Sequence, residues 1–245
     1  MMTNTRPIAV AVAAVAAFAA TGALAQQAGS WQIGAGWLHF APQDSSEPLT
    51  FTSPVHREVP GSGANVGSSD TLGINATYFV DNHWAVEGVM GVPPKFKLVG
   101  EGSLGPLGQI GEARQWSPTI LGKYYFGETT APWRPYVGLG LTYVWYSDVK
   151  ISNSLQNAIG AQLRLPPGAS STTAKLDNSF APVANVGVAY QFDRNWGMAV
   201  SVSYIHLKTT AKLTTTAANG ATVATAESRL KLNPIVPYVA VTYTY

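Results

Sequence analysis

Bond-breaking or metal chemistry in this chain would have to run through four histidines, His39, His56, His83 and His206, because the sequence holds no cysteine. The missing thiol removes cysteine nucleophiles, cysteine zinc sites and disulfides together. A serine nucleophile needs a histidine within hydrogen-bond reach and an acid to orient the ring. His206 and Ser203 are the pair to weigh, yet an odd spacing on an extended segment sets two side chains on opposite faces. His56 lies in a long polar stretch, His83 in a short turn, and no two histidines share a face at ligand spacing. Gly138-Leu139-Gly140 has the look of a phosphate-loop fragment, but small residues in mid-strand ordinarily mark close packing. The expectation is therefore no catalytic residue, no metal and no cofactor. Glu87 and Lys123 stand out for a different reason: each falls on the inward-facing positions of an alternating segment.

Those segments have the pattern of strands with different surroundings on their two faces. In 118–126, Pro118, Ile120, Gly122, Tyr124 and Phe126 alternate with Thr119, Leu121, Lys123 and Tyr125. After a break at 127–132, Pro135, Val137, Leu139, Leu141, Tyr143 and Trp145 alternate with Arg134, Tyr136, Gly138, Gly140, Thr142 and Val144. A period of two is the mark of a strand. Aromatic residues gather at both ends of the apolar face, as they do where a strand crosses a bilayer and amphipathic rings sit at headgroup level. Composition agrees, since charged residues make up 11% of the chain against roughly 25% in soluble domains. Outside the N-terminus there is no apolar run of about 18 residues, the minimum for a membrane helix. A net charge of +2, with no basic cluster along the sequence, offers nucleic acid nothing to bind.

Residues 1–25 read as an export signal peptide, with Arg6, an apolar stretch at 8–20, and Ala23-Leu24-Ala25 ahead of Gln26. Residues 26–245 are then the mature domain. Eight alternating segments follow, at 31–40, 71–80, 84–91, 118–126, 133–146, 180–192, 196–206 and 235–245. Their lengths suit a tilted membrane strand of roughly ten residues. The connections alternate, short at 81–83, 127–132 and 193–195, long at 41–70, 92–112, 147–179 and about 207–229. The fold class predicted is all-β: an eight-stranded antiparallel transmembrane β-barrel with short periplasmic turns and long extracellular loops. Within the third long loop, Leu155, Ile159 and Leu163 fall at helical spacing and predict a short helix over 153–165.

Five stretches, YFVDNHWAVEGV, SPTILGKYYFG, WRPYVGLGLTY, VGVAYQFDRNWGMAVSVSYI and the closing LNPIVPYVAVTYTY, together make the chain resemble the OmpW family of small outer-membrane barrels of Gram-negative bacteria. The resemblance covers essentially all of 26–245. It implies an outer-membrane barrel of eight strands with a narrow, largely hydrophobic channel for small apolar compounds, which leave sideways into the bilayer. The chain departs from the pattern in a longer first loop and in ending on Tyr245, where such barrels often end on Phe. A terminal aromatic still suits recognition by the barrel-assembly machinery.

Eight strands enclose a bore that side chains can fill. Counting from the short turns places Glu87 and Lys123 inward, on neighbouring strands and at similar height. An unpaired charge there would cost several kcal/mol, so an ion pair is expected in the periplasmic half, near Asn75, Tyr136 and Asn185. The pair either closes the floor of a channel or merely fills a narrow barrel. Higher up, the inward set turns apolar, with Leu38, Phe40, Val144, Ile205 and Leu207 lining the channel. Pro93, Pro94 and Pro118 cannot donate ladder hydrogen bonds. The third and fourth strands therefore either part at their outer ends as a lateral gate or simply end and begin there. The leading function is passive uptake of small hydrophobic molecules, with outer-membrane lipid and the permeant as partners and no nucleic acid. The alternative is a closed structural or surface-interaction barrel whose extracellular loops bind partners.

Overall fold

The computed structural model describes residues 26–43, 45–166 and 168–245, so the expected signal peptide lies outside the described residues. Eight strands form the barrel: β1 (Trp31–Phe40), β2 (Ser69–Phe79), β3 (Trp84–Gly91), β4 (Thr119–Tyr125), β5 (Trp133–Ile151), β6 (Ser179–Gln191), β7 (Trp196–Ile205) and β8 (Ile235–Thr244). Each pairs antiparallel with the next, and β8 closes on β1 from Gln32 opposite Thr244 to Leu38 opposite Tyr238. Closure matters because a sheet edge in hydrocarbon would leave its N–H and C=O groups without partners. No helix among the described residues is long and apolar enough to cross a membrane. Crossing by strands is the arrangement these sequences support.

Alternation along each strand sorts its residues into two environments. On β5 Leu139 is 73% exposed and Val137 and Leu141 also face out, while Tyr136, Thr142 and Val144 are buried. The outward face carries two aromatic belts. Trp31 with Tyr78, Trp84 with Tyr124, Trp133 with Tyr190, and Trp196 with Tyr243 pack at ring separations of 4.2–5.1 Å at the periplasmic end. Tyr143, Trp145 and Phe180 cluster at the outer end, where Trp116 stacks on Trp145 at 5.7 Å.

Two of the short turns share one chemistry. The Asp81 carboxylate accepts the N–H groups of Trp84 and His83, both at 2.7 Å, and the Asp193 carboxylate accepts those of Trp196 and Asn195, both at 2.8 Å. These D-x-x-W turns fold because the aspartate side chain replaces a backbone acceptor. The same backbone donors hold both carboxyls below their ordinary range.

The long connections are more ordered than the sequence reading expects of loops. At 19 residues β5 outruns the membrane and continues upward, pairing with Gln109–Trp116 from Trp145 opposite Trp116. Gln109–Trp116 pairs in turn with Lys95–Gly102. A second sheet is built from Ser170–Leu176, Lys208–Ala217, Thr222–Lys231 and Thr50–Ser53. The alternation of these segments is hard to see in sequence because their outer face meets water. In Lys208–Ala217 the buried positions are Thr209, Leu213 and Thr215, and the exposed ones Lys208 and Lys212. The helix expected at 153–165 is α1 (Asn153–Gln162), shorter by three residues at its end. Ser152 accepts the Leu155 N–H at 3.2 Å at its start, and Leu155 and Ile159 bury their stripe against Phe51, Ile110 and Leu213 in the cap that these long connections build over the barrel.

Candidate channel and its floor

Glu87 on β3 stands opposite Leu121 on β4, which makes Lys123 its diagonal neighbour. Glu87 Oε1 lies 2.6 Å from Lys123 Nζ, with both side chains almost wholly buried. Glu87 Oε2 accepts from Thr77 Oγ1 at 2.9 Å and Asn75 Nδ2 at 3.1 Å. Tyr238 donates its hydroxyl to Asn75 Oδ1 at 2.9 Å, and Lys123 Nζ sits 4.3 Å over the Tyr136 ring. Buried charges survive when their lone pairs and protons are all used, and here the carboxylate has three partners. Asn185 belongs to the same layer but bonds to Ser203 Oγ at 2.9 Å, not to the ion pair. Gly138 leaves room beside this layer: a Cβ there would lie 3.2 Å from Lys123 Cγ, a tight contact, and 3.5 Å from Asn185 Cβ, an ordinary one. Sequence reasoning passed over Thr77 and Tyr238, although both share inward parity with residues around them.

Two further layers lie beneath. Phe79, Tyr125 and Tyr136 pack at tilted angles, with ring separations of 5.2 and 4.9 Å. Below them Arg134 is 1% exposed. It donates to the Gln26 carbonyl at 2.9 Å, to Gln26 Oε1 at 3.3 Å, and to the Asn82 carbonyl. Gln26, the residue that follows the expected cleavage point, is thus tucked into the periplasmic end. Neither Arg134 nor Gln26 was singled out as a floor residue, for parity shows that a side chain points inward but not which part of the chain folds back to meet it.

Above the ion pair, among the described residues, three small voids follow one another. The first, about 50 Å³, has Glu87, Asn185 and Ser203 at its base and Leu38, Phe40 and Ile205 above. Gln115 joins it to a second of about 20 Å³ lined by Val66, Phe96 and Leu232. Leu98, Ala113, Leu176 and Leu230 then border both that void and a third, of about 80 Å³, under Leu49, Ile110, Leu155 and Leu213. The residues expected to line the channel differ in their surroundings. Leu38, Phe40 and Ile205 border a void, whereas Val144 and Leu207 are packed into the core, 0% and 1% exposed. Above this set, Val66, Phe96, Leu176, Leu230 and Leu232 from the long connections pack onto it.

The wall between β3 and β4 is incomplete at its outer end. Pairing stops at Val89 opposite Thr119 and resumes only at Lys95 opposite Arg114. Among the described residues one backbone bond bridges the interval, from Gln115 N–H to the Pro94 carbonyl at 3.1 Å. Pro93, Pro94 and Pro118 occupy it, and the Pro118 carbonyl turns away to accept from Tyr143 N–H and Thr142 Oγ1, both at 3.1 Å. Outside this gap lies a groove of about 740 Å³ on the lipid-facing surface, floored by small residues such as Ala76 and Gly88. Val89, Met90 and Thr119 line both the groove and the first internal void.

The histidines are dispersed. His39 Nδ1 lies 2.7 Å from Asp70 Oδ1, and His83 Nδ1 lies 3.0 Å from the Tyr125 carbonyl. No group of three metal-ligating side chains occurs among the described residues.

A closed eight-stranded barrel with an apolar outer face, aromatic belts at both ends and short turns on one side is a bacterial outer-membrane β-barrel. The model of the OmpW family matches residues 27–245, and the chain belongs to that family. It is 32% identical over 201 residues to outer membrane protein W of Vibrio cholerae, covering 82% of this chain and 84% of that one. It is also 25% identical over 155 residues to the dibenzothiophene metabolism operon protein PahQ of Pseudomonas aeruginosa, covering 63% and 64% of the two chains. Among solved structures, OprG of Pseudomonas aeruginosa superposes with a TM-score of 0.77 at 24% identity, over 91% of this chain and 99% of that one. The likeness to OprG establishes the fold. Family membership also sets this chain among non-enzymatic barrels.

Proposed function

We propose that the barrel takes up small hydrophobic molecules from outside, passes them through the apolar cap, and releases them sideways into the bilayer between β3 and β4. The observation that carries this reading is that the internal void and the lipid-facing groove share Val89, Met90 and Thr119 where the ladder is missing. A straight path is unfavourable, since the Glu87–Lys123 layer, the aromatic layer and the Arg134–Gln26 layer all lie below. An apolar solute gains nothing by displacing hydrogen-bonded charges, whereas lateral exit past Val89 and Met90 leaves those charges in place and ends in the apolar groove. One relative is named for an operon of dibenzothiophene metabolism, an apolar aromatic compound of the class that such a path would accept. At the chain end, Tyr245 is two-thirds exposed on the periplasmic side, available to the barrel-assembly machinery.

The test is uptake of an apolar fluorescent solute by vesicles carrying the full barrel, wild type against Val89→Trp. The indole would fill the junction of void and groove, and uptake should fall to the rate of protein-free vesicles. Hydrogen exchange supplies a second reading: amides of 90–95 and 117–121 should exchange faster than those of the rest of the wall. Uniform protection, or uptake unchanged by the indole, refutes lateral release. A closed surface barrel is the second reading, favoured by the sealed floor and by the two ordered sheets of the cap; it requires wild-type vesicles to match protein-free ones.

A further inference from the structure

The sequence shows no basic cluster, but the fold assembles one on the outer face of the second cap sheet. Lys208 stands directly opposite Lys231, and Lys212 directly opposite Lys175. Thr210 faces Arg229 in the row between. Like charges placed opposite each other weaken a ladder, so two such pairs on one face call for an explanation. Carboxylates answer only part of the charge. Lys212 holds Asp177 at 2.7 Å, Lys231 reaches Glu47 at 3.9 Å, and Glu227 lies opposite Lys212. Lys208, Arg229 and Lys175 have no ion-pair partner among the described residues. All five cations are exposed.

Their height is set by the barrel below. Tyr204, exposed in the outer aromatic belt, pairs with Ile235. Lys208 lies four residues beyond Tyr204 and Lys231 four residues before Ile235. Fully extended at about 3.3 Å per residue and a strand tilt near 45°, four residues would rise roughly 10 Å. The turn in which the Leu207 N–H bonds to the Ile205 carbonyl shortens this, so the lysines stand within that distance above the Tyr204 rung, in the range of lipid phosphates. A depression of about 250 Å³ opens there, walled by Lys208, Arg229, Lys231 and Asn178 together with the carboxylates Asp177 and Glu47, which are paired to Lys212 and Lys231. Asn178 is tied to the belt, donating to the Tyr143 hydroxyl at 3.1 Å.

We infer that this depression binds the phosphate of a phosphorylated glycolipid in the outer leaflet, with Lys208 and Arg229 as its principal ligands. A guanidinium offers paired donors to phosphate oxygens and an ammonium adds a point charge. The bound dianion also relieves the Lys208–Lys231 repulsion. The inference rests on the membrane placement of the barrel and is independent of the transport reading.

The test uses the full barrel in nanodiscs and measures retention of lipopolysaccharide carrying its lipid-anchor phosphates, beside the same lipid after dephosphorylation. Wild type should retain the phosphorylated form about tenfold more strongly than K208Q/R229Q, as expected for loss of charge-assisted contacts, and the difference should shrink as salt rises. Heat-modifiable gel mobility checks that the variant barrel is folded. K95Q/R114Q, which removes two cations from the other cap sheet, should retain lipid like wild type. Equal retention of the two lipid forms by wild type overturns the inference, as does an unaffected K208Q/R229Q. It is overturned too by an equal loss in K95Q/R114Q, by equal retention of phosphatidylglycerol, or by displacement with millimolar inorganic phosphate.

Discussion

Lys123→Met tests the floor most directly. It removes the ammonium and leaves the Glu87 carboxylate buried with two neutral donors, Thr77 Oγ1 at 2.9 Å and Asn75 Nδ2 at 3.1 Å. Removing one partner of a buried pair typically costs about 3–5 kcal/mol, because the remaining charge is uncompensated. Glu87→Gln should cost about 1–2 kcal/mol less, because the surviving ammonium keeps the Tyr136 ring at 4.3 Å. The double variant buries no charge, and its glutamine still offers an acceptor to Thr77. It should lie within about 2 kcal/mol of wild type, well short of the sum of the single losses. Urea unfolding in phospholipid vesicles, followed by the fluorescence of the seven tryptophans, gives the midpoints. A Lys123→Met loss below about 1 kcal/mol, or single losses that simply add, would refute the claim that pairing makes these charges tolerable.

Gly140→Ala should prevent closure of the wall between β4 and β5, since its Cβ would fall 1.9 Å from the Ile120 carbonyl oxygen. Gly138→Ala should cost no more than about 1 kcal/mol, because the nearest atom is the flexible Lys123 Cγ; heat-modifiable mobility separates the two outcomes. The turn carboxylates give a pH signature of defined sign. Asp81 and Asp193 are held below their ordinary value by backbone donors, so their contribution is complete above about pH 4 and is lost as pH falls through the lower folded values. Asp81→Asn with Asp193→Asn should flatten that acid-side decline in the unfolding midpoint, and an unchanged slope would show that the turns carry none of it.

The barrel was legible because oil outside and a cramped bore inside impose opposite demands on successive residues. Val137, Leu139 and Leu141 against Gly138, Gly140 and Thr142 could be read off one line of sequence, and the facing of Glu87 and Lys123 followed from parity plus two short turns. The cap was not legible for the same reason reversed. A strand such as Lys208–Ala217 has water on its outer face and threonines among its buried residues, so hydropathy barely alternates. Contacts that depend on chain reversal were also hidden. Nothing in the spacing of Gln26 and Arg134 announces that they meet, and nothing in the scatter of Lys175, Lys208 and Arg229 announces one surface.

The ion pair and the gap in the wall are connected by position. Glu87 opposite Leu121 is one step of the same face below Val89 opposite Thr119, the last rung of the β3–β4 ladder. The side-chain bond from Glu87 to Lys123 therefore crosses between the two strands just beneath the point where their backbones stop pairing. A barrel that loses ladder bonds at one seam is prone to unzip further along it, because each rung is held in register by its neighbours. A buried charge pair at the base of the seam resists this, since separating the strands would expose two charges to a low-dielectric interior. The prolines occupy the unpaired stretch of the wall, and the ion pair lies just below it. If release is lateral, as proposed, the floor and the passage would be one device, with Glu87 and Lys123 below and the unpaired stretch of the wall directly above them.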